Sequence, residues 1–370
     1  MFILKKFIST KQLLLILLLP LGIILTQLSK MLPTVVENFY SSFIYKIIAN
    51  ILSVITGLLP FSLAELIIVS FVVLTLLYVL KAIFKVYKYK NRRLNIIKTF
   101  ILNILATSGL IYFSFQLLWG FNYQRLTLNK IFELNVRTSS SNELALLCVS
   151  LVNSSNTLRQ KINENQYGVM KLPYNKKYIL KTAHLGYDQA SLQYTKLKGN
   201  YGSPKPILLS NPMCYTGITG FYFPFTGEAN INMTEPDSFL PFTTTHEMAH
   251  QLGFAKEDEA NYLAYVACIN HPDINFQYSG TLSALSYSFN ALRKSDSEIQ
   301  KQLVLNCSTG VINDLNYNQE FWQKYSGPVD KIGDKVNDTY LKSQNQKSGT
   351  KSYGAMVDLL LANYRKKMIP

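Results

Sequence analysis

PFTTTHEMAHQLGFAKEDEAN, residues 241–261, decides how the rest of the chain is read. Nothing between Thr243 and Leu252 breaks a helix. The threonines are placed to cap its start, and Gly253 can supply a left-handed stop. On such a helix His246 and His250, four residues apart, project from one face about one turn apart. Two imidazoles so placed can bind one zinc ion (Zn2+), with Glu247 beside the open coordination position. Glu247 would then take a proton from the water that attacks a carbonyl and hand it to the leaving amine. With four histidines in the chain, a chance HExxH is expected in on the order of one in a thousand such sequences. The competing structural reading is a capped amphipathic helix whose histidines are satisfied by hydrogen bonds.

A zinc site needs a third protein ligand. Position 256 is Lys256, which excludes the HExxHxxGxxH pattern of the metzincins. A turn at Gly253 lets the following helix, opening with Glu257, Asp258 and Glu259, pack back and bring a carboxylate to the metal. The E-x-x-x-N spacing selects Glu257 as ligand and Asn261 as the group that supports it. Glu259 is the alternative ligand. Acids at a helix start also complement its dipole without any metal. For transition-state stabilisation the sequence offers Tyr262, Tyr265, Tyr278 and Arg293 without choosing. His184 reads as a surface or core residue, and His271, before Pro272, as a solvated helix end.

Outside this region the chain is divided. The whole is 48% hydrophobic and only 16% charged, apolar for a soluble protein. Residues 1–119 carry twelve Lys/Arg against Glu37 and Glu65, so +10 of the +15 lies there. Apolar runs at 12–29, 62–84 and 97–119 have spanning length. The loop 81–98 holds seven basic residues and no acid, which places it in the cytoplasm. Residues 41–60 are also apolar. Counting them as a span would put that loop outside, so they read as an interfacial or re-entrant helix. The expectation is a multi-pass protein of the cell inner (cytoplasmic) membrane, with 1–119 in contact with the lipid bilayer and 120–370 extracytoplasmic. Basic charge concentrated beside apolar segments argues against nucleic acid as a partner.

The part after residue 120 reads as α+β, with few strands among many helices. Helices are expected at 142–164, 178–197, 281–304, 318–345 and 352–367. A buried strand is expected at 206–209, and a small antiparallel hairpin around the Gly227 turn. Its second strand, 229–233, is placed to pair with an extended substrate. Cys148, Cys214, Cys268 and Cys307 lack CxxC spacing and leave their pairing open.

The segment 220–268, together with YSG at 278–280, FW at 321–322 and KSYG at 351–354, resembles a family of bacterial membrane proteins known as domain of unknown function 3810. That family, typical of Bacteroidota, implies N-terminal membrane helices and a C-terminal HExxH region. A more distant similarity to gluzincin peptidases rests on His246, Glu247, His250 and the 257–261 segment. It implies a mostly helical gluzincin-like metallopeptidase domain, hydrolysing peptide bonds of envelope proteins or peptides. The short separation of His250 from Glu257 departs from most gluzincins. The alternative, from another class, is a non-catalytic membrane scaffold or receptor that keeps a zinc site.

Overall fold

A computed structural model describes residues 8–199, 201–343 and 355–368. It is mostly helical, at 73%, with a small three-stranded sheet. The motif KSYG at 351–354 lies outside the described residues. Among the described residues, four helices are long and apolar enough to cross a membrane: Thr10–Lys30, Pro33–Gly57, Leu63–Lys88 and Lys90–Leu118. Their uniform hydrophobicity, with Leu, Ile, Val and Phe left facing outward, is what hydrocarbon selects.

The chain divides into two units. The first contains residues 1–48 and 63–125. Its helices meet through polar contacts between long apolar stretches. Gln12 Nε2 donates to Asn103 Oδ1 at 2.8 Å, and Asn103 Nδ2 donates to the Tyr78 hydroxyl at 2.9 Å. Glu37 opens the π-helical stretch Val36–Ile44, and its carboxylate accepts two hydrogen bonds from Arg125, at 2.8 and 3.0 Å. Both side chains are buried, where a charge persists only with a close partner.

The second unit contains residues 49–62 and 126–370. Its core is a layer of helices around Leu240–Gln251 and Glu257–Asn270, which bury Leu240, Ala249, Tyr262 and Leu263 completely. Helix Ile274–Ser295 adds Phe276, Leu282 and Leu285. Helix Ser141–Arg159 begins with a capping box, the Ser140 hydroxyl on the Glu143 amide and the Glu143 carboxylate on the Ser140 amide. At its far end Arg159 meets Asp314, which also accepts from the Tyr278 hydroxyl and the Met170 amide. All four cysteines are free thiols, and Cys148, Cys214 and Cys268 are buried.

The expected antiparallel hairpin forms, but within a sheet of three strands that is mixed and not antiparallel throughout. The sheet comprises β1 (Lys205–Pro206), β2 (Gly220–Phe223) and β3 (Glu228–Ile231), in the order β1-β3-β2. β1 runs parallel to β3, and β2 antiparallel to it, so the sheet is mixed. The strand expected at 206–209 is therefore shorter and starts earlier. β3 is central and wholly buried, whereas β2 is the half-buried edge. Three expected helices are also broken, 178–197 among them, where Ala183 separates Lys176–Thr182 from His184–Gln193. Asp296 caps a new helix, Ser297–Val304, and so ends the one before it. Gly327 and Pro328 separate Thr309–Gln323 from Pro328–Ser343, because proline lacks the amide that a continuing helix requires.

Candidate metal centre

The helix Leu240–Gln251 starts before the threonines, with Pro241 in its first turn. Thr243, Thr244 and Thr245 are thus inside the helix and cap nothing. The hydroxyls of Thr244 and Thr245 donate to the carbonyls of Leu240 and Pro241 one turn back, at 2.8 and 3.1 Å. Gly253 does end the helix, with φ +89°, a conformation costly for residues with a Cβ. The reversal brings Phe254 O to His250 Nδ1 at 2.8 Å. A carbonyl only accepts, so Nδ1 carries a proton, and Nε2 is the nitrogen whose lone pair a metal can use once it displaces any proton there.

That lone pair faces two further donors. His250 Nε2 and His246 Nε2 are 3.1 Å apart. Glu257 Oε2 lies 3.3 Å from His246 Nε2, and Glu257 Oε1 lies 3.6 Å from His250 Nε2. Tetrahedral ligation at ~2.0–2.1 Å requires ligand atoms about 3.3 Å apart. The separations of His246 Nε2 from His250 Nε2 and from Glu257 Oε2 lie close to that spacing, and two imidazoles with one carboxylate are a donor set that zinc accepts. The residues present therefore fit the metal that the motif implies. His246 Nδ1 is buried without a hydrogen-bond partner.

Electrostatics follow from this crowding. Burial raises the Glu257 carboxyl, but His250 first and then His246 outweigh it and hold the group well below the usual carboxylate range. Burial lowers His250, yet the Glu257 carboxylate overrides it and lifts the imidazole to about 9. Burial raises Glu247, only partly offset by the two histidines. Glu247 Oε2 is buried with no partner. The chain passes Glu247 closely at Gly220, where a Cβ would sit 2.7 Å from Glu247 Cγ and 2.9 Å from its Oε1.

Glu259, four residues before Leu263 on the same helix, is employed elsewhere. Its Oε1 accepts the Leu128 amide at 2.9 Å and faces Lys256 at 3.4 Å. Asn261 hydrogen-bonds to neither histidine. Its Oδ1 accepts from the Tyr287 hydroxyl at 3.4 Å. Of the candidate stabilisers, Tyr278 gives its hydroxyl to Asp314 at 2.6 Å, and Tyr262 is fully buried. His271 is buried and not solvated, because its ring stacks on Phe276 and its Nε2 meets Thr182 O at 2.9 Å. His184 is exposed, 3.7 Å from Asp188.

Two residues near the cluster have no motif to announce them. Tyr287 keeps its proton, raised by burial and then by the fields of Glu257 and Glu235. Glu235 is buried between β3 and the motif helix. Its Oε1 accepts from Thr243 at 2.9 Å and its Oε2 has no partner. Burial lifts its carboxyl to about 8, and the field of Glu247 adds to the rise.

A family model described as Protein of unknown function (DUF3810) matches residues 40–361, most of the chain and the whole of this cluster. The chain belongs to that family. No curated protein and no solved structure matches it.

Proposed function

We propose that this protein is a membrane-anchored, zinc-dependent endopeptidase whose C-terminal unit cleaves proteins or peptides outside the cytoplasm. The observation that carries this reading is the convergence of His246, His250 and Glu257 within 4.8 Å, beside a buried Glu247 whose Oε2 lacks a partner. A structural metal site needs no acid–base group at its margin. His246, His250 and Glu257 would hold the ion. A bound zinc ion supplies Lewis acidity toward water and a peptide carbonyl.

Glu247 takes a proton from the attacking water on its free oxygen and returns it to the departing amine. Burial suits it to both halves of that exchange, since it moves the carboxyl toward the working pH. Tyr287 and Asn261 are linked to one another beside Glu257, and the retained phenol proton can stabilise developing negative charge. β2, at the edge of the sheet, and not the central β3, is the strand placed to pair with an extended substrate. The seven positive charges of residues 81–98, around the turn that joins Leu63–Lys88 to Arg93–Leu118, read as cytoplasmic and support an extracytoplasmic C-terminal unit.

The test is a Glu247→Gln variant of the purified full chain. It should retain stoichiometric zinc and lose hydrolysis of an unstructured polypeptide by on the order of 100-fold or more. Comparison of envelope proteomes from wild-type and Glu247→Gln cells should then show the substrates accumulating. Full hydrolysis by this variant removes the mechanism. Zinc bound without hydrolysis in the wild type leaves the scaffold reading.

A further inference from the structure

Residues 49–62 are part of the C-terminal unit, although they end a helical run long and apolar enough to cross a membrane. The helix Tyr45–Gly57 has two unlike faces over these residues. Ala49, Ser53 and Thr56 are buried on one side. Thr56 Oγ1 donates to Thr226 O at 3.1 Å, and the Gly202 amide donates to Ser53 Oγ at 3.2 Å. Gly227 sits so close that a Cβ there would meet Leu52 Cβ and the Ser53 amide nitrogen at 3.0 Å. Beyond the helix, Ser62 Oγ is 2.6 Å from Asn230 Oδ1. The inner face thus grips the β2–β3 turn, and Ser62 just beyond the helix reaches β3.

The opposite face carries Ile51, Val54, Ile55 and Leu58, all exposed, with Leu58 at 83%. Lys205 Nζ donates to the carbonyls of Gly57 and Leu59 and fixes the Leu58 turn against β1. Leu208 and Leu209 follow β1 and are exposed too, Leu208 at 75%. A crossing helix would carry the hairpin it grips into hydrocarbon, where an open sheet edge has no water to satisfy it. An apolar outer face on a helix lying flat has no such conflict.

We infer that Ile51, Val54, Ile55, Leu58, Leu208 and Leu209 form a surface by which the C-terminal unit rests in the interface of a lipid bilayer, with residues 49–57 along the membrane and not across it. The helix holds the hairpin turn just beyond Phe223, and Glu247 lies at Gly220, the other end of β2. Four residues of strand separate them, ~10 Å at about 3.3 Å per residue. Resting on the peptidase reading, this seats the site beside the bilayer and fits it to membrane-proximal segments of anchored polypeptides. The seating itself does not depend on that reading.

The experiment uses the full chain in lipid nanodiscs, with single cysteines replacing Ile51, Ile55, Leu58 and Leu208 in a Cys307→Ser background. Each carries a fluorophore, and depth is read by lipids with nitroxides at shallow or deep acyl positions. All four labels should quench more strongly with the shallow probe and share one depth. A crossing helix would instead spread Ile51 and Leu58 by about 10 Å, seven residues at ~1.5 Å each, and would overturn the proposal. Labels open to aqueous iodide would also overturn it. So would labels shielded from iodide but untouched by lipid probes, which would report a protein partner. Zinc content and hydrolysis measured on the same samples separate this outcome from the fate of the peptidase reading.

Discussion

Glu235 accepts a 2.9 Å hydrogen bond from Thr243, and that threonine stands one helical turn before Glu247. A second carboxyl is thereby buried on the Glu247 side of the motif helix, with one oxygen unpaired. Its folded pKa, pushed up to about 8 by burial first, lies above the ordinary value of 4.5. The folded protein therefore holds a proton that the unfolded chain has released between these values. Stability from this group is complete below about pH 4.5 and is lost as pH rises toward 8. The loss is on the order of 5 kcal/mol at most. Glu235→Gln keeps an acceptor for Thr243 and removes the titration. Chemical denaturation at pH 5 and pH 8 should show a clearly smaller difference for the variant, and an unchanged difference would contradict the assignment.

At Gly220, β2 passes close against the motif helix. A methyl group there meets Glu247 Cγ at 2.7 Å and Asn230 O at 2.9 Å, distances that force something to move. The Asn230 carbonyl belongs to the central strand and is the less mobile of the two, so the Glu247 side chain gives way. Gly220→Ala should keep its zinc and lose at least about tenfold in kcat, a part of what a displaced general base costs. Loss of zinc instead would mean that the strand, not Glu247, has shifted.

Tyr287 links Asn261 to the field of Glu257. If its hydroxyl steadies negative charge that develops only during reaction, Tyr287→Phe should lower kcat by about 100-fold with little change in KM. Steady-state kinetics on a peptide substrate separates the two constants. A rise in KM alone would make the residue a substrate contact and nothing more.

Local pattern made some of this legible. The His246–Glu247–His250 spacing predicts a helix with both imidazoles on one face, and the positive φ at Gly253 is what the glycine implies. The threonines misled, because a hydroxyl that bonds the carbonyl one turn back looks in sequence like one that caps. The strand expected at 229–233 is central and not free to pair with a substrate, because strand order depends on β1, which is only two residues long and carries no pattern of its own. Glu235 and Tyr287 belong to no motif. They reach the cluster through the packing of β3 and the helix Ile274–Ser295 against Leu240–Gln251, which no short-range spacing encodes. The helix at 49–57 was ambiguous for a related reason: its small inner face is recognisable only beside the hairpin that it grips.

Glu257 and Glu259 occupy the same first turn of one helix, yet their carboxylates have different employment. Glu257 faces two imidazoles at 3.3 and 3.6 Å, whereas Glu259 holds the Leu128 amide at 2.9 Å. Glu257→Ala removes a proposed ligand and should weaken zinc by more than the ~10–100-fold that an outer contact costs. Glu259→Ala leaves a buried amide unpaired, so it should lose about 1–3 kcal/mol of stability with zinc affinity unchanged. Chelator competition measures the first quantity and denaturant unfolding the second. Glu259→Ala thus harms stability while sparing zinc affinity, whereas Glu257→Ala loses zinc affinity whatever it does to stability. General unfolding cannot imitate that pattern, since it would lower both quantities in both proteins. Zinc loss in Glu259→Ala, with retention in Glu257→Ala, would reverse the ligand assignment.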